Sequence, residues 1–304
     1  MTESPRKPAE ISTLRILRPH RNVIAFYDGR VAGQRLQSRE PNWVDDGAYE
    51  LGVCTYAVID GNEALVYDTH ITLAHAAAVR RALHEAGADR LRVVLSHSHL
   101  DHVAGNAIFA DCEIIAHAWT AEDLARNRST IETGTHGGPP AICPLVMPTT
   151  TYQDRLELRV GQLAVELRHV DIHSRDGTML MLPNERVMLA GDALEDTCTY
   201  VSDPGGLARH LIDLERMAGW EIERILPNHG DPDRIAAGGY DKGLITATQR
   251  YVRRLLDLGG DPALQRQSLE HFVAPELAAG WITYFQPYEA VHRRNVERVL
   301  ECAT

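Results

Sequence analysis

The chain is poor in cysteine, and the few cysteines that it has show no regular spacing. Five occur among 304 residues, and none forms a C-x-x-C pair. They are Cys54, Cys112, Cys143, Cys198 and Cys302. Disulfide scaffolds usually have an even number of cysteines, and cysteine-based metal sites need closely spaced pairs. We therefore expect reduced thiols, as in a protein of the cytoplasm.

Long apolar runs and an excess of positive charge are also missing. No apolar run approaches the ~20 residues of a membrane-spanning helix, and residues 1–8 are not followed by the apolar core of a signal peptide. The formal net charge of −11 opposes nonspecific binding to nucleic acid. The sequence therefore predicts a cytoplasmic protein that acts on a small-molecule substrate, with no membrane and no nucleic acid as partner. It leaves the oligomeric state open.

What the sequence does have is a dense cluster of metal-binding side chains. His97, His99, Asp101 and His102 occur directly after the apolar run 91–95. Imidazole nitrogens and carboxylate oxygens are the donors that suit zinc and similar divalent ions. Burying these four side chains together would be costly without a cation. The apolar run predicts a buried strand, so we expect a metal site at the C-terminal end of a strand.

The pattern His97-x-His99-x-Asp101-His102 resembles the HxHxDH signature of the metallo-β-lactamase superfamily. The resemblance implies that the first two histidines bind one metal ion. It also implies that the aspartate and the last histidine help to bind a second ion, and that the remaining ligands come from later segments.

Three later segments resemble the remaining parts of the family pattern. His229 follows the apolar run 225–227, and Asp192 ends the run Leu-Ala-Gly-Asp. Two histidines compete for the third position. His173 precedes Asp192 by 19 residues, the separation that the family pattern leads us to expect, whereas His169 lies within an alternating strand pattern. We favour His173 and interpret His169 as a strand residue.

Together these residues imply a site for two divalent metal ions. We expect zinc, with manganese or iron as alternatives, because ligand chemistry alone does not separate them. The first ion would be bound by His97, His99 and His173, the second by Asp101, His102 and His229, and Asp192 would bridge the two. Any one of the 15 histidines is better explained as a surface or hydrogen-bonded residue, but a full ligand set in the family order is not.

The resemblance also implies a reaction. Asp192 has counterparts in the glyoxalase II-like thioesterases, lactonases and phosphodiesterases of the superfamily, whereas true β-lactamases lack it. We therefore expect a hydrolase of a carboxylic ester, thioester or lactone, in which a metal-bridging hydroxide attacks the carbonyl carbon. Asp101 and Asp192 would be catalytic, and Asp101 would orient the nucleophile and pass a proton to the leaving atom. Asp68 is either a turn residue at a strand end or the hydrogen-bond partner that orients a histidine ligand.

Other interpretations stay open. Three residues after the bridging aspartate, where acyl-homoserine lactonases have a tyrosine, this chain has Glu195, and Tyr200 lies nearby. The protein could also be an iron-dependent oxidoreductase with the same ligands, or a β-lactamase-like amide hydrolase. A binding module without activity is the third alternative.

The order of predicted elements fits the α/β fold of this superfamily, an αββα sandwich. An N-terminal group of strands and a second group at 156–190 are each followed by helices, such as those at 75–86 and 207–217. Two facing sheets with helices outside would bury both groups of strands. We assign residues 1–238 to the catalytic domain and residues 239–304 to a C-terminal helical cap packed on it.

Two segments lie outside the minimal pattern. Residues 129–151 are rich in Gly, Pro and Thr, and predict a loop that either borders the active site or is a plain surface excursion. In the C-terminal cap, helices are predicted at 241–258 and 289–300. An aromatic cluster there would pack between cap and domain, or line the substrate pocket. The cluster consists of Trp281, Tyr284, Phe285 and Tyr288.

Overall fold

Two β-sheets form the centre of the molecule in a computed structural model that describes residues 11–302. The segment 1–8, for which we predict no signal peptide, lies outside the described residues. The first sheet contains seven strands that are paired in chain order. They are β1 (Arg15–His20), β2 (Val23–Asp28), β3 (Val53–Asp60), β4 (Glu63–Tyr67), β5 (Arg90–Val94), β6 (Glu113–His117) and β7 (Thr150–Tyr152).

The second sheet lies opposite the first and is smaller. Its strands are β8 (Arg155–Val160), β9 (Leu163–Ile172), β10 (Ser174–Leu182), β11 (Val187–Gly191) and β12 (Arg224–Pro227). Across the sheet their order is β12-β11-β10-β9-β8. Antiparallel pairing joins β8 through to β11, and β11 pairs in parallel with β12.

Alternating side chains of the first sheet fill two layers. All six residues of β2 are buried. Val23, Ala25 and Tyr27 join the core between the sheets, whereas Ile24 and Phe26 join the layer beneath the helices. This alternation follows from the two-residue period of a strand. A strand covered on both faces must be apolar on both faces.

Helices pack around the two sheets. They are α1 (Leu73–Glu85), α2 (Leu100–Val103), α3 (Ala118–Glu132), α4 (Leu207–Ala218), α5 (Pro232–Ala236), α6 (Gly243–Leu256), α7 (Leu269–Phe272), α8 (Ala274–Ala278) and α9 (Tyr288–Cys302). Helix α1 begins where the Thr72 hydroxyl accepts a hydrogen bond from the His75 backbone N–H, as expected for an N-cap residue. The arrangement confirms the predicted α/β fold, an αββα sandwich with a C-terminal helical part.

Parallel pairing brings the carboxyl ends of several strands to one edge. Strands β4, β5, β6 and β7 pair in parallel in the first sheet, as do β11 and β12 in the second. Parallel strands of one sheet end on the same side, so the residues that follow β4 and β5 meet. The residues that follow β11 and β12 meet for the same reason. Predicted metal ligands follow β5, β11 and β12.

Several elements differ from the sequence prediction. Strands β1 and β7 and the π-helical segment Val44–Tyr49 are not predicted, because they are short and carry no clear periodicity. The short helix Leu100–Val103 is not predicted either; Leu100 and Val103 turn into the buried layer. Residues 129–132 belong to α3 and not to the predicted loop, since buried Ile131 extends the inward face of the helix.

The C-terminal helices α6 and α9 lie within two residues of their predicted positions. Helix α6 packs against α4, and α9 packs against α6 and α7. In the aromatic cluster Tyr288 is buried, Trp281 packs against the guanidinium of Arg250, and Phe285 packs against that of Arg30. The cluster therefore serves packing. The division between catalytic domain and cap stays a prediction.

The features that the sequence lacks are also missing from the structure. The five cysteines are all free, as predicted. Within residues 11–302, no helix combines the length and the apolar character that crossing a membrane requires. The cytoplasmic location stays a prediction.

Candidate metal centre

An aspartate fixes the end of β5 to the end of β4. Asp68 follows β4, and its backbone N–H donates to the Val94 carbonyl at 2.8 Å. Its carboxylate accepts from the Ser96 backbone N–H at 2.6 Å. Asp68 has a left-handed φ of 69°, a strained conformation that non-glycine residues keep mainly at functional sites. The backbone from which His97 extends is thus held by the neighbouring strand.

The short helix α2 presents the rest of the HxHxDH motif. His99 is the residue before the helix, and Asp101 and His102 lie within its single turn. Leu100 and Val103 are buried beside them. These apolar residues anchor the turn, and His99 and Asp101 line a cavity at the strand ends.

The second sheet supplies further side chains in the same way. The Asn228 backbone N–H donates to the Gly191 carbonyl at 3.0 Å, which holds the end of β12 beside the end of β11. Asp192 and His229 follow directly in the chain. His173 occupies the irregular turn between β9 and β10 and has a left-handed φ of 67°. Strain of this kind costs about 1–3 kcal/mol, so surrounding contacts must hold His173 in place.

The structure brings all seven predicted ligands together. Their potential ligand atoms form two groups, and within each group these atoms lie within 4.8 Å of one another. The first group is His97, His99, His173 and Asp192, and the second is Asp101, His102, Asp192 and His229. Asp192 belongs to both groups, as a bridging residue must. His169 lies outside both and is a residue of β9, where its Nε2–H donates to the Arg175 carbonyl at 2.7 Å.

One oxygen of Asp192 lies at the centre of the cluster. Its Oδ2 is 3.1 Å from His102 Nε2, 3.4 Å from His229 Nε2 and 3.6 Å from His97 Nε2. The same oxygen is 3.8 Å from His173 Nε2. The other oxygen, Oδ1, and His97 Nε2 are buried and have no hydrogen-bond partner within the described part of the chain. Unpartnered buried polar atoms are costly, and a cation between them would satisfy both.

In two histidines of the cluster, Nδ1 donates a hydrogen bond to a backbone carbonyl. His229 Nδ1–H donates to the Gly52 carbonyl at 2.6 Å, and His173 Nδ1–H donates to the Tyr200 carbonyl at 2.9 Å. Carbonyl oxygens only accept, so each neutral ring presents a lone pair at Nε2. The His229 lone pair faces carboxylate oxygens of Asp101 and Asp192, which also only accept, so a proton or a cation must lie between them. The His173 lone pair lies 3.0 Å from His99 Nδ1, within the first ligand group. This donor set fits a divalent metal ion.

Asp68 orients two further histidines. His102 Nδ1–H donates to Asp68 Oδ2 at 2.8 Å, so the predicted hydrogen bond to a histidine of the motif is present. The Ser96 hydroxyl donates to the same oxygen at 2.7 Å and therefore accepts from His97 Nδ1–H at 2.9 Å. The Asn228 amide is a third donor, at 2.6 Å. Ser96 and Asn228 were not predicted, although each directly precedes a candidate ligand in the chain.

Opposite charges dominate the pKa values of the second group. Burial lowers the pKa of His102 and His229, but the charges of Asp192 and Asp101 outweigh it and raise both pKa values well above the ordinary one. Burial raises the pKa of the two carboxyl groups, but the same histidines hold it well below its usual range. Without a cation, the histidines of this group hold protons that a metal ion must displace.

The first group differs electrostatically from the second. Burial, followed by the charge of His102, lowers the pKa of His97 well below its ordinary value. Burial and the neighbouring His173 lower the pKa of His99 to about 4. Both rings are therefore neutral near pH 7, the form in which imidazole binds metal ions. Burial also lowers the pKa of His173, but its contact with Glu195 outweighs this and raises it.

Glu195 supports the centre through a contact that the sequence does not reveal. Its Oε1 lies 3.5 Å from His173 Nδ1 and accepts from the Tyr200 backbone N–H at 2.8 Å. Its Oε2 accepts from the hydroxyl of Tyr288, 93 residues further along the chain, at 3.0 Å. Glu195 thus ties His173 to helix α9. In the sequence, Glu195 is distinguished by its position three residues after Asp192.

Two neighbouring cavities open onto the candidate ligands. The first has a volume of about 270 Å³ and is lined by five of the seven. The second, of about 610 Å³, shares His99 and Asp101 and extends to Trp43 and His136. The segment 129–151 therefore borders the centre through His136. None of the four residues of the aromatic cluster lines either cavity.

Comparison with known families agrees with this geometry. The family model of the metallo-beta-lactamase superfamily matches residues 49–229, a segment that contains all seven candidate ligands. The chain belongs to the metallo-β-lactamase superfamily. The comparison with curated proteins found no match.

Solved structures share the fold at low sequence identity. DIM-1 metallo-β-lactamase is 19% identical with a TM-score of 0.58, over 80% of this chain and 99% of that chain. A metallo-β-lactamase from Pontibacter korlensis is 14% identical with a TM-score of 0.60, over 79% and 99%. TMB-1 is 16% identical with a TM-score of 0.60, over 80% and 99%. Family membership and the two ligand groups support a metal-dependent hydrolase.

Proposed function

We propose that the protein is a two-metal hydrolase of carboxylic esters, thioesters or lactones. The observation that carries the proposal is the position of Asp192, which belongs to both groups of candidate ligands. A shared carboxylate suits a pair of cations held close together, as in other hydrolases that use two metal ions. The ligand types suit zinc first, with manganese or iron as alternatives.

Two bound cations would supply Lewis-acid activation of water and of the scissile carbonyl group. Two aspartates beside the cations would have different roles. The Asp101 side chain is 19% exposed and borders the cavity, whereas Asp192 is 5% exposed. We assign to the Asp101 carboxylate the transfer of a proton from the attacking water to the leaving atom. Asp192 supplies the buried negative charge that both ligand groups share.

Hydrolysis of β-lactams is the second candidate function. DIM-1 and the Pontibacter korlensis protein, which share the fold, are metallo-β-lactamases. The resemblance of Asp192 to the bridging aspartate of thioesterases and lactonases favours the first candidate. An iron-dependent oxidoreductase would use the same ligands, and its metal content would distinguish it.

A substrate panel on the metal-loaded protein tests the proposal. The panel contains lactones, thioesters, aryl esters, phosphodiesters and β-lactams, and each is assayed with Asp192→Asn as the matched inactive variant. We expect hydrolysis of at least one ester, thioester or lactone, and its loss in the variant. Activity confined to β-lactams or to phosphodiesters would contradict the proposal. Stoichiometric redox-active iron without hydrolysis would favour the oxidoreductase.

A further inference from the structure

The cleft above the metal centre contains a cation without a partner. Arg294 of helix α9 lines both cavities that border the candidate ligands. Within residues 11–302, its guanidinium forms no hydrogen bond, ion pair or ring contact. An arginine that lines a cleft beside a reaction centre and has no protein partner is available to an anionic ligand.

The acidic residues that share the cleft wall already have partners. Asp46 lines both cavities as well, but it is paired with Arg35 at 2.5 Å. It also accepts from the Asn42 backbone N–H at 2.8 Å. Glu195 is occupied by the hydrogen bonds described above. The other two acidic lining residues, Asp101 and Asp192, belong to the candidate ligands, so among residues 11–302 no carboxylate of the cleft wall is paired with Arg294.

Helix α9 holds Arg294 in a defined position. Ala290 and Val291, four and three residues earlier, line the first cavity together with Arg294. One face of the helix therefore forms the wall. One turn later, the guanidinium of Arg298 donates to the hydroxyl of Tyr200, which is itself a lining residue. The helix that presents Arg294 is thus anchored to another residue of the cleft wall.

We propose that Arg294 binds a carboxylate group of the substrate, and that the preferred ester, thioester or lactone carries such a group in addition to the scissile bond. This inference rests on the proposed function. The planar guanidinium can donate two parallel hydrogen bonds to a carboxylate. The apolar part of the substrate would lie against Trp43 and Leu100 in the larger cavity. Arg294 lies outside the segment 49–229 that matches the family.

A matched pair of esters tests the inference on the metal-loaded protein. The two esters have acyl chains of equal length, one ending in a methyl group and the other in a carboxylate. We expect kcat/KM for the carboxylate ester to exceed that for the methyl ester by about tenfold, mainly through KM. Arg294→Gln should bring this ratio to about one. Arg293→Gln, at an exposed neighbour that lines neither cavity, should leave it unchanged.

The outcomes separate this inference from the proposed function. Equal hydrolysis of both esters by the wild type, or an unchanged ratio in Arg294→Gln, overturns the inference and leaves the hydrolase proposal standing. Preference for a phosphate-terminated ester over the carboxylate ester also overturns it.

If neither ester is hydrolysed, the hydrolase proposal fails for these substrates and a binding measurement decides the inference. Calorimetry then compares a dicarboxylate with its monoamide on the metal-loaded protein. About tenfold tighter binding of the dicarboxylate, lost in Arg294→Gln, supports a carboxylate site at Arg294. Equal binding of the two compounds overturns it.

Discussion

The deep and the outer parts of the cleft are built in different ways. In the deep part, the seven candidate ligands lie at strand ends or in the short helix and turn beside them. Hydrogen bonds to backbone carbonyls, to Asp68 or to the Ser96 hydroxyl orient four of the five histidines. The outer part is lined by Val44–Tyr49, by residues 136–138 and by helix α9. The candidate ligands thus depend on the two sheets, whereas the elements packed over them form the outer surface of the cleft.

The charged side chains of the deep part and of the outer part also differ in their surroundings. In the deep part, buried histidines and carboxylates shift one another's pKa values, as in His102 and Asp192. In the outer part, Asp46 and Arg35 form a partly exposed pair, and Arg294 is exposed. Substitutions in the deep part should therefore affect every substrate, whereas those in the outer part should affect the choice among substrates.

Asp192→Asn tests the deep part with the largest expected effect. Loss of the shared negative charge should remove bound metal and lower kcat/KM for all substrates by about a thousandfold, because metal-ion stabilisation of the reaction contributes several kcal/mol. Metal content and kcat/KM are measured on the same preparation. Asp233→Asn, at a side chain that is 87% exposed, is the control. Full activity of Asp192→Asn would contradict the expectation that substitutions in the deep part affect every substrate.

Asp68→Asn tests whether orientation of the ligands matters as much as their presence. The amide cannot accept all the hydrogen bonds that the carboxylate accepts from His102, Ser96 and Asn228. We expect metal affinity to fall by about 10–100-fold, the usual effect of losing such a partner. Competition with a chromophoric chelator measures it. Ser96→Ala, which removes one donor to Asp68, should show a smaller loss, and equal affinities in all three proteins would refute this role.

The pH dependence of metal binding tests the protonation states that we assign to His102 and His229. The pKa values of His102 and His229 are raised in the metal-free protein, so both rings are protonated near pH 7. Binding of a metal ion releases these protons, and affinity should therefore rise with pH until the raised pKa values are passed. The expected slope is about tenfold per pH unit for each proton released. Chelator competition across the neutral range checks it, and a flat profile would contradict the assigned charges.

The deep part could be predicted from the sequence because its information is local. Each candidate ligand lies in a short segment beside a strand, and strand ends in parallel pairs meet at one edge. His173 and not His169 joins the cluster because His169 points from β9 to a backbone carbonyl. Asp68 was also marked by its position after an apolar strand. Ser96 and Asn228 could not be predicted, because small polar residues next to ligands form no sequence pattern of their own.

The outer part could not be predicted because long-range packing assembles it. Glu195 meets Tyr288 across 93 residues, and Arg298 meets Tyr200 across 98. No periodicity in the sequence encodes such contacts. The segment Val44–Tyr49 is too short to show a helical pattern, yet it forms a wall of both cavities. The sequence likewise does not reveal that Arg294 lines the cleft without a partner.

The number of metal ions bound per chain shows whether Asp192 joins two cation sites. Elemental analysis is applied to the wild-type protein and to His97→Ala and His102→Ala, which each remove one ligand from a different group. We expect two divalent ions per wild-type chain and the loss of at least one in each variant. A single ion in the wild type, retained in both variants, would contradict a two-metal centre joined by Asp192.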